Sequence, residues 1–290
     1  MAVQVNLPKK QNLTLKRLRK PEHFVPLLLG GSLVLVAILF TFFAPEIAPH
    51  HPNKIHLMHR LIPPAWVNGG TWQYPLGTDY LGRDVLSRII YGAKISLEVG
   101  VISVTISLLL GVILGIMAGY LGRLWDDIIM RLVDIQLSFP FILMALTLMA
   151  ISGPGLTKIV AVLALSGWGT YTRVIRSETI SMKEREFVQA ARSMGASDVR
   201  IMFRHLLPNV MNSVVVLGTL NVAINILLES GLTFLGLGLS PSIPSWGGML
   251  ANGREYIQTA WWISTFPGLA ILLTVLGFNL LGDWFRDFLP

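Results

Sequence analysis

The chain has 290 residues, of which 53% are hydrophobic and only 13% charged, and its mean hydropathy is +0.62. That balance is too apolar for a water-soluble domain of this size and places the chain in a bilayer. Cysteine is absent, which excludes disulfides, thiolate metal sites and a cysteine nucleophile, and the 23 lysines and arginines against 16 acids do not point to nucleic acid because much of that excess flanks apolar runs.

In chain order, a basic segment over 1–24 precedes a first apolar run at 26–43. The run lies too far from the start, and is too poor in a small-residue cleavage site, for a removable leader; it reads as an anchor. Further runs near the ~20 residues needed to cross a bilayer cover 99–120, 128–151, 156–171, 210–228 and 260–282, so an all-α protein with six transmembrane helices is predicted. The run 156–171 is the shortest of these and carries Lys158, Gly167 and Gly169; without it the topology changes parity. The expected organisation is a basic segment 1–24, a first transmembrane helix 25–44, an extracytoplasmic loop with an amphipathic segment 45–94, and a five-helix core 95–290 that carries a loop at 177–208.

Cytoplasmic segments retain basic residues. Placing the N-terminus inside leaves only Lys54, Arg60, Arg83, Arg88, Lys94, Lys158 and Arg254 of the 23 outside. Both termini and the loop 177–208 are therefore predicted cytoplasmic.

The outer loop contains HHPNKIHLMHR at 50–60, in which His50, His51, His56 and His59 could ligate a soft or borderline cation. Their spacing fits no compact closed site and no carboxylate or cysteine joins them, so the favoured reading is no metal site. Further on, Asp79, Arg83, Asp84 and Arg88 have spacings that can pair along one helix or serve in docking another protein. Gly111, Gly115 and Gly119 recur at four-residue intervals, a small-residue stripe suited to close helix packing. Arg131 and Asp134, three apart, are expected to form a local ion pair or to touch the loop 177–208.

That loop holds EREFVQAARSMGASDVRIMFRHLLPNV at 184–210, a charged stretch with helical periodicity between two apolar runs. Ser181 with Glu184 matches a capping box, and Phe187, Ala190, Ala191 and Met194 form a stripe ending at Gly195, a residue suited to a helix C-terminus. A first helix over about 182–194 is predicted. Ser197 then caps a second helix striped by Val199, Met202, Phe203 and Leu206, which should stop before Pro208. Two short helices meeting at a glycine elbow, small at Ala190 and Ala191, suit a docking partner. On the next run Asn221, Asn225 and Glu229 share one face and could serve interhelical hydrogen bonds, line a translocation path or couple a proton. Trp246, Trp261 and Trp262 are expected at the outer interface, where indole is enriched.

The run Gln189-Ala190-Ala191 with Gly195 and Leu207-Pro208 resembles the coupling (EAA) loop of ABC-importer permeases. LGTDYLGRDVLSRIIYGAKISL at 76–97, FLGLGLSPSIPSWGGML at 234–250 and FNLLGDWFRDFLP at 278–290 are similar to the C-type permease of dipeptide, oligopeptide and nickel importers. Gln189 stands where the loop motif usually has glutamate, so no role of that carboxylate carries over, and Leu289 stands where an acidic residue usually precedes the last proline. The resemblance implies a type I importer fold and an inner-membrane location in a prokaryote. It also implies a second homologous permease, two cytoplasmic ATPases using ATP and Mg, and an extracytoplasmic substrate-binding protein. Glu186, Phe187, Gln189, Ala190, Ala191, Gly195, Val199, Met202, Phe203, Leu207 and Pro208 would form the ATPase-coupling surface. Transport of small peptides is expected, with a nickel or metal-chelate importer of the same family as the alternative.

The residues themselves agree with this division of labour. No Gly-x-x-x-x-Gly-Lys-Ser/Thr loop is present, so this chain has no recognisable means of holding ATP and needs no cofactor of its own. No His-Glu-x-x-His or Gly-x-Ser-x-Gly pattern supports catalysis. A gradient-driven secondary transporter is the reading from another class; it would show inverted repeats with broken helices and uptake insensitive to ATP depletion.

Overall fold

Apolar runs interrupted by glycine and proline fold into helices that end at those interruptions. A computed structural model of the protein describes residues 24–289, which are helical apart from loops and one isolated bridge between Thr78 and Asp84. The basic segment with Lys9, Lys10, Lys16, Arg17, Arg19 and Lys20 lies outside the described residues, as does Pro290.

Helix α1 (Phe24–Ile47) is apolar all round and leaves Leu28 and Phe42 exposed, as a helix bathed in lipid does. Helix α2 (Val85–Leu121) begins where Asp84 accepts a hydrogen bond from the Ser87 amide at 3.0 Å. Its 37 residues extend about 55 Å, well beyond the ~30 Å hydrocarbon core, so the run at 99–120 is the middle of a longer helix.

The run 128–151 is corrected from one helix to two. Pro140 disfavours helix at Phe139, so α3 (Arg123–Ser138) and α4 (Phe141–Ser152) meet at 85°. The shortest run, by contrast, is extended: α5 (Leu156–Lys183) has 28 residues. Next come α6 (Glu186–Ser193), α7 (Asp198–Ile201) and a π turn (Met202–Leu206), which leads into α8 (Leu207–Phe234). The chain closes with α9 (Trp246–Gly253) and α10 (Trp262–Phe288). Among the described residues, four helical segments are long and apolar enough to cross a membrane, and five if the bent α3–α4 pair is one span. Helix α5 has the length but is diluted by polar residues, Arg173 and Arg176 among them.

Helix α2 is the axis of the fold, with α5, α8 and α1 packed directly on it and α10 beyond, against α1 and α8. A Cβ on Gly111 would stand 2.5 Å from the Tyr171 Cβ, and one on Gly119 2.7 Å from that of Thr179, so the glycine stripe is where α5 approaches the α2 backbone. Lipid supplies no hydrophobic drive between helices, so close packing and interhelical hydrogen bonds hold them together. Ser107 donates to the Ala164 carbonyl at 2.8 Å, and Asn225 to the Ser103 hydroxyl at 2.8 Å.

The Val85 end of α2 carries a buried ionic knot. Arg83 Nε donates to Asp79 at 2.6 Å, Arg88 lies 4.0 Å from Asp79, and both arginines reach the Pro241 carbonyl at 3.4 Å. Pairing along one helix is thus corrected: Asp79 and Arg83 pair in the turn before α2, while Asp84 serves as its cap and faces His50 at 3.5 Å. Two of the three tryptophans of this region are held inside the fold. Trp246 is buried and donates to the Ile89 carbonyl at 2.9 Å, Trp262 donates to the Thr78 carbonyl at 3.0 Å, and only Trp261 of the three is exposed.

Candidate functional site

The elbow at the Leu121 end of α2 is built from local signals. Helix α5 does not stop at Ser181, which lies inside it; the capping box is not formed, and α6 starts instead after Arg185. Gln189 turns back to donate to the Lys183 carbonyl at 3.2 Å, satisfying an acceptor that the end of α5 leaves open. Helix α6 ends in a Schellman motif: the Ala196 amide donates to the Ala191 carbonyl at 3.1 Å and the Gly195 amide to that of Arg192 at 3.0 Å. Gly195 takes φ +81°, which a side chain with a Cβ resists. Ser197 caps α7 by accepting from the Arg200 amide at 3.4 Å.

Pro208 does not end the second helix. Its ring would collide with the carbonyl four residues back in a regular α-helix; widening the turn to a π turn, with the Leu207 amide bonded to Met202, carries the helix through into α8. The second limb of the elbow is therefore continuous with a long apolar helix.

The expected apolar stripes divide between two faces. Ala191 points inward with Val188, Ile201, Leu206 and Val210 onto Val112, Ile116, Tyr120 and Ile175. Phe187, Met194, Val199 and Phe203 point outward, with Met194 82% and Phe203 62% exposed. Glu186, Gln189, Ala190, Gly195 and Pro208 are exposed beside them, while Met202 and Leu207 are half-buried. Placing Ala191 on the docking face is thus corrected: over so short a helix Val188 is the inward partner and Phe187 is turned out. Burying each aliphatic side chain against α2 and α5 stabilises the elbow by roughly 1.5–3 kcal/mol where water is the alternative.

Sequence reading missed the residues that fasten the elbow. The Tyr120 hydroxyl, on the last turn of α2, donates to Asp198 at 2.7 Å, and the Arg192 guanidinium lies 5.4 Å from the centre of its ring. An apolar α2 ending in tyrosine, opposite a charged loop, was the available signal. Nearby, Arg176 donates to Asp126 at 2.6 Å and Arg173 to Asp134 at 2.8 Å, tying α5 to α3. Asp134 thus pairs across helices and not with Arg131, as local spacing suggested.

The other candidates lie elsewhere. Glu229 is fully buried, and hydroxyl groups of Thr233 at 2.9 Å and of Ser96 and Ser230 at 3.4 Å donate to its carboxylate. With Asn225 it sits in the α2–α8 contact, where both make interhelical hydrogen bonds, the first of the three readings of this stripe; Asn221, half-buried, donates back to the Leu217 carbonyl at 2.8 Å. His50 stacks on Tyr74 at 5.0 Å, and His59 Nδ1 lies 3.0 Å from the Tyr74 hydroxyl. Burial, with the Asp84 carboxylate nearby, pushes the Tyr74 phenol above its ordinary range. His51 faces Tyr91 and His56 faces His59, and no group of three potential ligands that could hold a metal ion is found among the described residues.

Similarity to known proteins agrees with this arrangement. Residues 111–290 match the family described as binding-protein-dependent transport system inner membrane component. The chain is 45% identical over 260 residues to the di/tripeptide transport system permease protein DppC of Pseudomonas aeruginosa, covering 89% of this chain and 86% of the relative. It is 40% identical over 258 residues to the glutathione transport system permease protein GsiD of Pectobacterium atrosepticum, covering 89% and 84%. A chain of the inward-facing MetNI methionine ABC transporter shares the fold at a TM-score of 0.56 and 17% identity, over 70% of this chain and 97% of that one. The chain accordingly belongs to the family of inner-membrane components of binding-protein-dependent transport systems.

Proposed function

We propose that this chain is one of two different permeases of an ATP-driven importer of di- or oligopeptides, and that its elbow receives a cytoplasmic ATPase. The observation that carries the reading is the two-sidedness of the elbow: one apolar face closes onto α2 and α5, and the other, with Phe187, Met194, Val199 and Phe203, is exposed among charges. An exposed apolar patch rimmed by polar residues marks a protein contact. The peptide transport named for the relatives supports the substrate class. ATP and Mg bind in the partner ATPases, a binding protein delivers substrate from outside, and the elbow serves as the handle by which a rigid-body movement reaches the spans. Six spans with both termini cytoplasmic complete the reading, with α3–α4 as one broken span and α5 as another.

The test is uptake of labelled dipeptide into liposomes holding this chain, the second permease and the ATPases, with binding protein outside the face that contains Asn252. Uptake should require ATP on the elbow side. Uptake that survives ATP depletion and collapses with an uncoupler would show a gradient-driven transporter instead.

A further inference from the structure

We propose that Tyr120 is the positioning residue through which the elbow moves α2. The elbow is joined covalently to α5 and α8 only, whereas Tyr120 is 78 residues from Asp198 in sequence. Its ring, 2% exposed, packs in the cluster with Val188, Ala191 and Ile201. Its hydroxyl donates to Asp198 of α7 at 2.7 Å; Arg192 of α6 lies 5.4 Å from its ring centre, and Lys183, at the end of α5, 5.8 Å away. One side chain therefore touches each helical segment around the elbow. Its hydroxyl also accepts from the Arg192 side chain, but the bond it donates is the one to Asp198, and a bond to an ionised acceptor is stronger than a neutral one.

The consequence lies along α2. A helix of 37 residues moves as a stiff rod, and its far end holds the buried arginine Arg88 on the Pro241 carbonyl. A displacement imposed on the elbow and passed to Tyr120 therefore reaches the segment 235–245 at the opposite end of the protein through Arg88, in step with α8, which runs into that segment at Leu235, and with α5, which packs against Leu239. This inference rests on the reading of the elbow as the ATPase docking site.

The test uses the complete transporter. Tyr120→Phe keeps the packed ring and removes the hydroxyl; Asp198→Ala removes the acceptor from the exposed side; Asp198→Asn keeps an acceptor oxygen. Tyr120→Phe and Asp198→Ala should co-purify with the ATPases and keep basal ATP hydrolysis, while hydrolysis stimulated by loaded binding protein, and dipeptide uptake, fall roughly tenfold, about 1.4 kcal/mol of coupling. Asp198→Asn, with a neutral acceptor oxygen, should lie between Asp198→Ala and wild type, and the double variant Tyr120→Phe/Asp198→Ala should be no worse than Tyr120→Phe alone, as for two groups acting through one bond. If Tyr120→Phe does not assemble, Asp198→Ala decides alone. Stimulated hydrolysis and uptake within about twofold of wild type in both single variants would overturn the proposal, as would equal impairment by Asp198→Asn and Asp198→Ala. If Gly195→Val uncouples hydrolysis and the Tyr120 and Asp198 variants do not, this inference fails and docking stands; if Gly195→Val also leaves docking and coupling intact, the docking reading itself fails.

Discussion

Gly115 of α2 backs directly onto Ile175 of α5: a Cβ on the glycine would stand 2.8 Å from the isoleucine Cβ and 2.9 Å from the Thr172 carbonyl oxygen. Neither neighbour is the loose end of a flexible chain, so the two helices must separate to admit a side chain. Gly115→Leu should lower the stability of the purified protein by about 1–3 kcal/mol or more, the range for an overpacked core. Gly31→Ala is the control, because nothing lies within 4 Å of a Cβ there. Thermal unfolding in detergent, followed by loss of the monodisperse peak, checks this; equal midpoints for the two variants would contradict the packing.

The ionic knot at the other end of α2 yields a second prediction. Asp79 is 4% exposed and faces Arg83 at 2.6 Å and Arg88 at 4.0 Å. Asp79→Ala leaves two buried guanidinium groups without their carboxylate, and breaking a buried pair from one side costs about 3–5 kcal/mol. The segment 48–84 should then become sensitive to protease added from its own side of the membrane, while Arg60→Ala, at an exposed position, leaves it resistant. Unchanged cleavage in Asp79→Ala would show that the knot does not hold that segment.

Much of this was legible because it is local. Gly195 could be placed at a helix end because a glycine follows a two-turn apolar stripe, and the glycines of α2 announced close packing by their spacing alone. What stayed hidden is what distant chain segments decide. No spacing rule links Arg88 to Pro241 or Tyr120 to Asp198, and the choice between Phe187 and Val188 as the inward residue of α6 depends on where α2 and α5 lie. Pro208 misled in the opposite way: a helix stop by local rules became a π turn, because the long apolar helix beyond it gains more by continuing.

Gly195 tests the geometry of the elbow without touching its contacts. A Cβ there meets nothing within 4 Å, so any effect of Gly195→Val comes from the backbone, held at φ +81°. A β-branched residue in that conformation should re-aim α6 relative to α7, weakening ATPase co-purification or making hydrolysis independent of substrate, while the protein still inserts. Gly195→Asn should be much milder, since asparagine is the side chain that most readily takes a left-handed helix end. Equal loss in Val and Asn variants would point to a contact at this position and against backbone geometry.

The central claim, that the outward face of the elbow receives the ATPase, can be measured with single cysteines, because the chain has none of its own. Cysteine placed at Phe187, Met194 or Phe203, all exposed, or at Val188, 1% exposed, would be labelled with a membrane-impermeant maleimide in inverted vesicles with and without the ATPase subunits. The account predicts that Phe187→Cys, Met194→Cys and Phe203→Cys label readily alone, are shielded when the ATPases assemble, and cross-link to them, whereas Val188→Cys labels in neither state. Labelling of the three exposed positions that is the same with and without assembled ATPases, together with cross-links to the ATPase only from other parts of the chain, would contradict it.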